Sequence, residues 1–202
     1  MAAGKVLIGF SKPYVAVYQN SNGVITYTNG QILARGVSVE TELQTGSESK
    51  FYADNVQAES GGGVFTGGQA TLTVDGLFME SKRLILGLPE ARKITVNETQ
   101  VDIIDYGDSA NPPYMGVGFI TQYMSDGVIT YTPTMFRKVK FQTENLVANT
   151  QGEEIEWQTQ ALIIALMRDD SAEHNWKSEG ADQDTEEEAE AVLKVLLGIA
   201  EE

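Results

Sequence analysis

The clearest pattern in the chain is a two-residue alternation on both sides of Ser125-Asp126-Gly127. Before it, Val117, Phe119, Thr121 and Tyr123 alternate with small or polar partners, and after it Val128, Ile129 and Thr130 continue an extended run. Asp-Gly tolerates the positive φ that a tight turn demands, so this segment predicts an antiparallel hairpin. Asn111-Pro112-Pro113 fixes φ and removes two donors, which delays the first strand until Tyr114. Pro133 suits a sheet edge or a strand break. Beyond it Phe136, Arg137, Lys138, Val139, Lys140 and Phe141 resume the pattern with cations between apolar residues. Residues 105–140 therefore predict a long ribbon with one packed face and one wet face.

The alternation predicts further strands elsewhere. Residues 5–10 and 14–19 read as two strands separated by Pro13, and Ser21-Asn22-Gly23 turns the chain into residues 24–28. The run SNGVITYT at 21–28 returns as SDGVITYT at 125–132, one turn chemistry used twice. In residues 32–43, Val37, Val39, Thr41 and Leu43 take one face and Ser38, Glu40 and Glu42 the other. Residues 69–74, 94–106 (one bent strand or a hairpin about Asn97-Glu98), 155–159 and 161–167 complete the strand set.

Helical spacing occurs in two places. Leu77, Leu84, Ile85 and Leu88 predict a helix over 76–88, with Asp75 as its N-cap and Leu88-Pro89 as its stop. Near the C-terminus, Thr185 and Glu188 form a capping box ahead of an apolar stripe of Ala189, Val192, Leu193, Leu196 and Leu197, which predicts an amphipathic helix over 185–200. A helix this short is marginal alone, so docking on its own body or on a neighbour is expected.

One long stretch, residues 44–68, falls outside these patterns. It holds six glycines, with Phe51, Tyr52, Val56, Val64 and Phe65 as its apolar residues. Structureless loops of this length in a compact domain are usually functional or disordered. The Phe51-Tyr52 pair argues for a packing surface instead, and another subunit is the expected place for it.

Composition narrows the class. With 202 residues and 42% hydrophobic content the chain can close one core, and no second domain is required. The expected division is a β domain over 1–168, an acidic linker over 169–184 and a helix over 185–200. No cysteine is present, which excludes disulfides and thiolate metal sites. The first apolar run is interrupted by Gly9, Ser11 and Pro13 before it reaches signal-peptide or membrane length, so secretion by that route and membrane residence are not expected. The formal charge of −15 is uneven: from Asp169 onward there are 12 acids and 2 bases, against 17 acids and 12 bases before it. Such a chain does not grip nucleic acid by counterion release, but it suits a surface that DNA passes without sticking.

Catalytic chemistry finds little to build on. His174, the single histidine, lies in a polar segment beside Asn175 and Trp176. The glycines at 61–63 and 67–68 lack the Gly-Lys-Ser/Thr ending of a phosphate loop. Asp102 with Asp105 and Glu153 with Glu154 are the kind of carboxylate pairs an acidic chain produces freely, and Trp157 and Trp176 read as core or interface anchors. No catalytic, cofactor-binding or metal-ligating set is assigned, and an enzyme is not expected.

A series of short motifs carries a resemblance. Phe51-Tyr52-Ala53-Asp54 with Glu59 following, Phe65 and Gly68 ahead of a strand and helix, Asp108-Ser109-Ala110-Asn111-Pro112-Pro113-Tyr114, the strand of Gly116, Gly118 and Phe119, and Glu154-Ile155-Glu156-Trp157-Gln158-Thr159 occur in this order. Over residues 3–180 the chain resembles the major tail protein, or tail tube protein, of phages with long non-contractile tails; the acidic arm and terminal helix depart from that pattern. The resemblance implies a mainly β, tail-tube-like β-sandwich/barrel with a flanking helix. It also implies stacked hexameric rings forming the conduit for DNA ejection, built in the bacterial host cytoplasm and located in the virion tail. The implied partners are further copies of the chain, a tape measure protein, and tail tip and tail terminator proteins, with DNA only in transit. On this basis Phe51, Tyr52, Asp54, Glu59 and Phe65 are the candidates for a contact between rings. Tyr114, Phe119, Tyr123, Phe136 and Trp157 are the candidates for the interface between neighbouring subunits. Two alternatives stand beside it: a tube protein of a contractile injection or secretion system, and a carbohydrate-binding β-sandwich module suggested by Trp157, Trp176 and the tyrosines.

Overall fold

A computed structural model describes residues 4–143 and 146–200. The elements in chain order are β1 (Val6–Ser21), β2 (Val24–Ile32), β3 (Gly36–Thr45), β4 (Ser49–Ala53), β5 (Val56–Gly61) and β6 (Phe65–Val74), then α1 (Met79–Leu86). There follow β7 (Arg92–Val96), β8 (Thr99–Ile103), β9 (Tyr114–Ser125), β10 (Val128–Phe141), β11 (Gln160–Met167), β12 (Lys177–Glu179) and α2 (Glu186–Leu196). The chain is mainly β. One antiparallel sheet runs β2-β1-β9-β10-β11-β6-β3, with β12 added to β10, while β4–β5 and β7–β8 form separate two-stranded hairpins.

The turns follow local chemistry. Asn22-Gly23 joins β1 to β2 with φ of 54° and 84°, and Asp126-Gly127 joins β9 to β10 with 50° and 82°. Both central residues lie in the left-handed region, which is the twist a two-residue hairpin needs. Asp54-Asn55 and Asn97-Glu98 make the turns of β4–β5 and β7–β8 in the same way.

The sheet folds over one main core. Val15 of β1, Met115, Val117 and Phe119 of β9, and Phe136 and Val139 of β10 meet Leu72 and Val74 of β6 and Ile164 and Leu166 of β11. Ile85, Leu86 and Leu88, in and just after α1, join this core. β10 makes the bend: its register against β9 shifts between Phe136 and Val139, and from Lys138 onward it pairs with β11. Bulges turn strands in this way.

A smaller cluster lies on the other side of β1, β9 and β10, where Tyr14, Ala16, Ile120 and Met135 meet Ala189, Leu193 and Leu197 from α2 and its C-cap. The fold is thus α2, then β2-β1-β9-β10, then β11-β6-β3.

Several expectations are corrected. Pro13 does not divide β1: the strand passes through it on a register shift between Ser11 and Tyr14, and the Pro13 carbonyl accepts from Leu33 N at 2.8 Å. The first helix begins at Met79 after Phe78, and Asp75 accepts instead from Arg35 N and Nε at 3.1 and 2.5 Å. The helix ends at Gly87, φ 58°, two residues before Pro89. Residues 155–159 form no strand, so β11 starts at Gln160. Within 44–68 the chain forms the β4–β5 hairpin rather than a loop. The ribbon of β9 and β10 has no wet face over most of its length, because α2 covers the side that the main core leaves open.

Candidate assembly surfaces

The β4–β5 hairpin stands clear of the body, with every residue from 47 to 64 exposed. Phe51 is 62% exposed, Tyr52 59% and Val56 67%. Phe51 pairs with Glu59 across the hairpin and Asp54 begins its turn. Four of the five residues expected to contact another ring therefore share this projection. Phe65 does not: it is buried at the root, its ring stacked on Trp176 with centroids 4.5 Å apart.

The five residues expected at the subunit interface divide similarly. Phe119 and Phe136 belong to the subunit's own core, ring against ring at 5.2 Å, because the face of the ribbon they share points into the sandwich. Tyr114 lies under Lys138 Nζ at 4.7 Å and Lys140 Nζ at 5.6 Å, and Tyr123 lies under Lys5 Nζ at 4.2 Å. Both tyrosines remain at the surface. Trp157, 89% exposed, sits in the connection between β10 and β11, where Leu146, Val147 and Ile155 are exposed too. There Gln158 ties the connection to itself through both backbone groups of Asn149.

Among the unpaired strand edges of the described residues, which include the outer side of β2 and both small hairpins, two belong to long strands with an apolar rim. β3 pairs only with β6. The N-terminal part of β1 pairs only with β9, because the register with β2 begins at Tyr14. Each edge carries exposed apolar side chains: Val6, Leu7 and Ile8 on β1, Val37 and Leu43 on β3. Unpaired apolar edges of this kind recruit another strand unless something blocks them.

Among the described residues, one broad sheet face has no helix packed across it. On the outer side of β3, β6 and β11, Ser38 pairs with Thr73, Glu40 with Thr71 and Glu42 with Gln69, while Ala161, Ile163 and Ala165 continue the rows. Its side chains are mostly small, hydroxyl or amide, with Ile163 among them and two carboxylates at its rim, and Lys82 with part of the β10–β11 connection borders Thr71, Ala161 and Ile163.

The acidic arm after β11 is not a free linker. Asp169 is fully buried as a side chain and accepts from Arg137 Nε at 2.6 Å and Ser171 Oγ at 2.6 Å. Burial pushes its carboxyl up, but the bonds from Ser171 and Arg137 outweigh this and hold it below the usual carboxylate range. Asp170 meets Lys138 at 2.7 Å and Tyr18 Oη at 2.9 Å, and Asp182 meets Lys5 at 2.7 Å and Thr132 Oγ1 at 2.5 Å. β12 and the Tyr131–Gln183 bridge pair with the edge of β10 that Pro133 interrupts. His174 sits in the tight turn of this arm, φ 53°, its N donating to the Ser171 carbonyl.

The arm ends in α2, whose Thr185 and Glu188 make the reciprocal capping box at 3.2 Å each way. Glu190 accepts from Tyr14 Oη at 2.5 Å and Lys194 Nζ at 3.1 Å, and also pairs with Lys12. Partial burial pushes its pKa up, yet the bonds from Lys12, Tyr14 and Lys194 win and hold it at about 2. Apart from Lys194, one turn from Glu190, the cations that hold these acids lie far away along the chain, so the positions of the acids gave little local signal.

No family model matches the chain, and no curated protein matches it. No helix among the described residues is long and apolar enough to cross a membrane.

Proposed function

We propose that the chain is a self-assembling structural subunit of a phage tail tube: copies close into hexameric rings, the rings stack, and DNA passes through the bore. The observation that carries this reading is the pair of unpaired, apolar strand edges on β3 and on the start of β1. The two edges already approach each other within the chain, where Gly36 of β3 lies against the Phe10 ring of β1; a neighbouring copy that adds different strands to them makes a head-to-tail contact, which closes into a ring when the rotation allows.

The energetics favour closure over pairs. Burying five Val, Leu and Ile side chains stabilises by about 1.5–3 kcal/mol each, and association costs on the order of 4–15 kcal/mol. One junction is weak, and a closed ring gives every subunit two.

The outer face of β3, β6 and β11 is the better candidate for the bore, because α2 covers the corresponding face of β1, β9 and β10. Its threonines and small residues leave Lys82 at one border as the cation beside these rows, and Glu40 and Glu42 repel phosphate over a Debye length of about 8 Å at physiological salt. A tape measure protein and tip and terminator proteins would set the length and ends of the tube, and the assembly would belong to a virion tail.

Lysines placed on an edge strand blunt it without touching the core. A Val37→Lys, Leu43→Lys variant is expected to fold and sediment as a monomer at concentrations where the parent chain forms rings. Rings from that variant would remove β3 from the subunit junction.

A further inference from the structure

β11 reaches β10 only from Lys138 onward, so the stretch before it, from Tyr131 to Arg137, has β9 on one side and a strand edge on the other. The arm of the same chain fills that edge. Tyr131 N donates to the Gln183 carbonyl at 3.0 Å, and Gln183 N donates to the Tyr131 carbonyl at 2.8 Å. Gly180 N donates to the Pro133 carbonyl at 2.9 Å, and Arg137 N to the Trp176 carbonyl at 3.0 Å. The fit is particular to this arm. A Cβ on Gly180 would stand 2.7 Å from Pro133 Cγ, so a strand with a side chain at that position cannot come as close. Beside the edge lies an apolar face: Ala16, Ile120 and Met135 are at most 2% exposed because Ala189, Leu193 and Leu197 pack on them. Bare, this edge and face would make one continuous surface of the kind that recruits another strand.

We infer that the arm and α2, residues 169–197, are an intramolecular blocker: they occupy the β10 edge and its apolar face and so keep a second copy of the chain from joining there. The inference rests on the self-assembly reading and says where on the subunit assembly is prevented. Two observations besides the cover itself point this way. The cations along the seam are already taken, since Lys5, Lys12, Arg137 and Lys138 pair with Asp182, Glu190, Asp169 and Asp170 respectively. They are not left to attract the acids of another copy. The outer side of the cover carries Asp184, Glu187 and Glu188, all exposed, so two covers brought together repel each other. Junctions are thereby left to β3 and the start of β1.

Two variants of the full chain test this, one lifting the arm and one pinning it. Gly180→Val with Gln183→Pro puts a side chain against Pro133 and removes the N–H that bonds Tyr131. With β content retained by circular dichroism, this variant is expected to sediment as large, irregular, concentration-dependent species where the parent chain is a monomer or a closed ring. Sedimentation identical to the parent's would overturn the blocker. For the pin, Tyr131 and Gln183 exchange both backbone bonds, which sets their Cα atoms about 5.5 Å apart, inside the range of roughly 4.4–6.8 Å that a disulfide spans. The chain has no cysteine of its own, so Tyr131→Cys with Gln183→Cys can form only that bridge within one subunit. The oxidised protein is expected to assemble as the reduced protein does; assembly only after reduction would mean that the arm must leave, and would overturn the blocker while keeping the ring reading. A parent chain that never forms rings would sink the ring reading alone, because the lifted variant still reports on the edge by associating or not.

Discussion

Gly118 and Leu193 meet where no side chain fits between them: a Cβ on Gly118 would stand 2.5 Å from Leu193 Cδ1 and 3.1 Å from Leu197 Cδ1. The glycine in β9 lets α2 lie against the sheet, which is the usual meaning of a glycine inside a strand. Gly118→Val is expected to destabilise the protein by about 1–3 kcal/mol through overpacking, and Leu193→Ala by about 2–5 kcal/mol through the cavity it leaves. Together they should cost clearly less than their sum, because each relieves the other. Urea unfolding of the four proteins measures this, and strict additivity would mean that α2 does not pack over Gly118.

The Asp169–Arg137 pair anchors the arm to the body. Arg137→Met leaves a buried carboxylate without its cation, and removing one partner of a buried pair costs about 3–5 kcal/mol. The double variant Arg137→Met, Asp169→Leu should recover much of that loss. Thermal unfolding followed by circular dichroism separates the cases; equal loss in single and double variants would show that the pair is not what holds the arm.

Acid should loosen the arm in a defined window. Glu190 is held at about 2 against an ordinary 4.5, and Asp169, Asp170 and Asp182 all lie below their ordinary 3.8. For a carboxylate depressed by folding, the stabilisation is complete above its unfolded value and disappears as pH falls through its folded value. Stability should therefore be insensitive to these groups near neutrality and fall from about pH 4.5 towards about pH 2. Trp176 fluorescence in a Trp157→Phe background reports it, since Trp176 stacks on Phe65 at the arm's base. Glu190→Gln should make the fall shallower, and an unchanged profile would exclude Glu190 as a contributor.

Where the determining chemistry is local, it was legible in the sequence. Asn22-Gly23 and Asp126-Gly127 announce their hairpins because positive φ is a property of those two residues alone. Thr185 and Glu188 announce α2 for the same reason. Asp54-Asn55 was an equally local signal for the β4–β5 hairpin, masked by the surrounding glycines. Alternation told which side of the ribbon Phe119 and Phe136 share, but not that this side faces the subunit's own core. Nor did it show that the opposite side is roofed by a helix, although Gly118 was the trace of that close approach. The burial of Asp169 depends on Arg137, 32 residues earlier, and no window along the chain contains both.

Negative-stain electron microscopy of the concentrated full chain, alone and with candidate tail partner proteins, tests the central claim most directly. Rings of six subunits with an open bore, stacking into tubes, are the expected images. A uniformly monomeric particle under every condition would contradict the account.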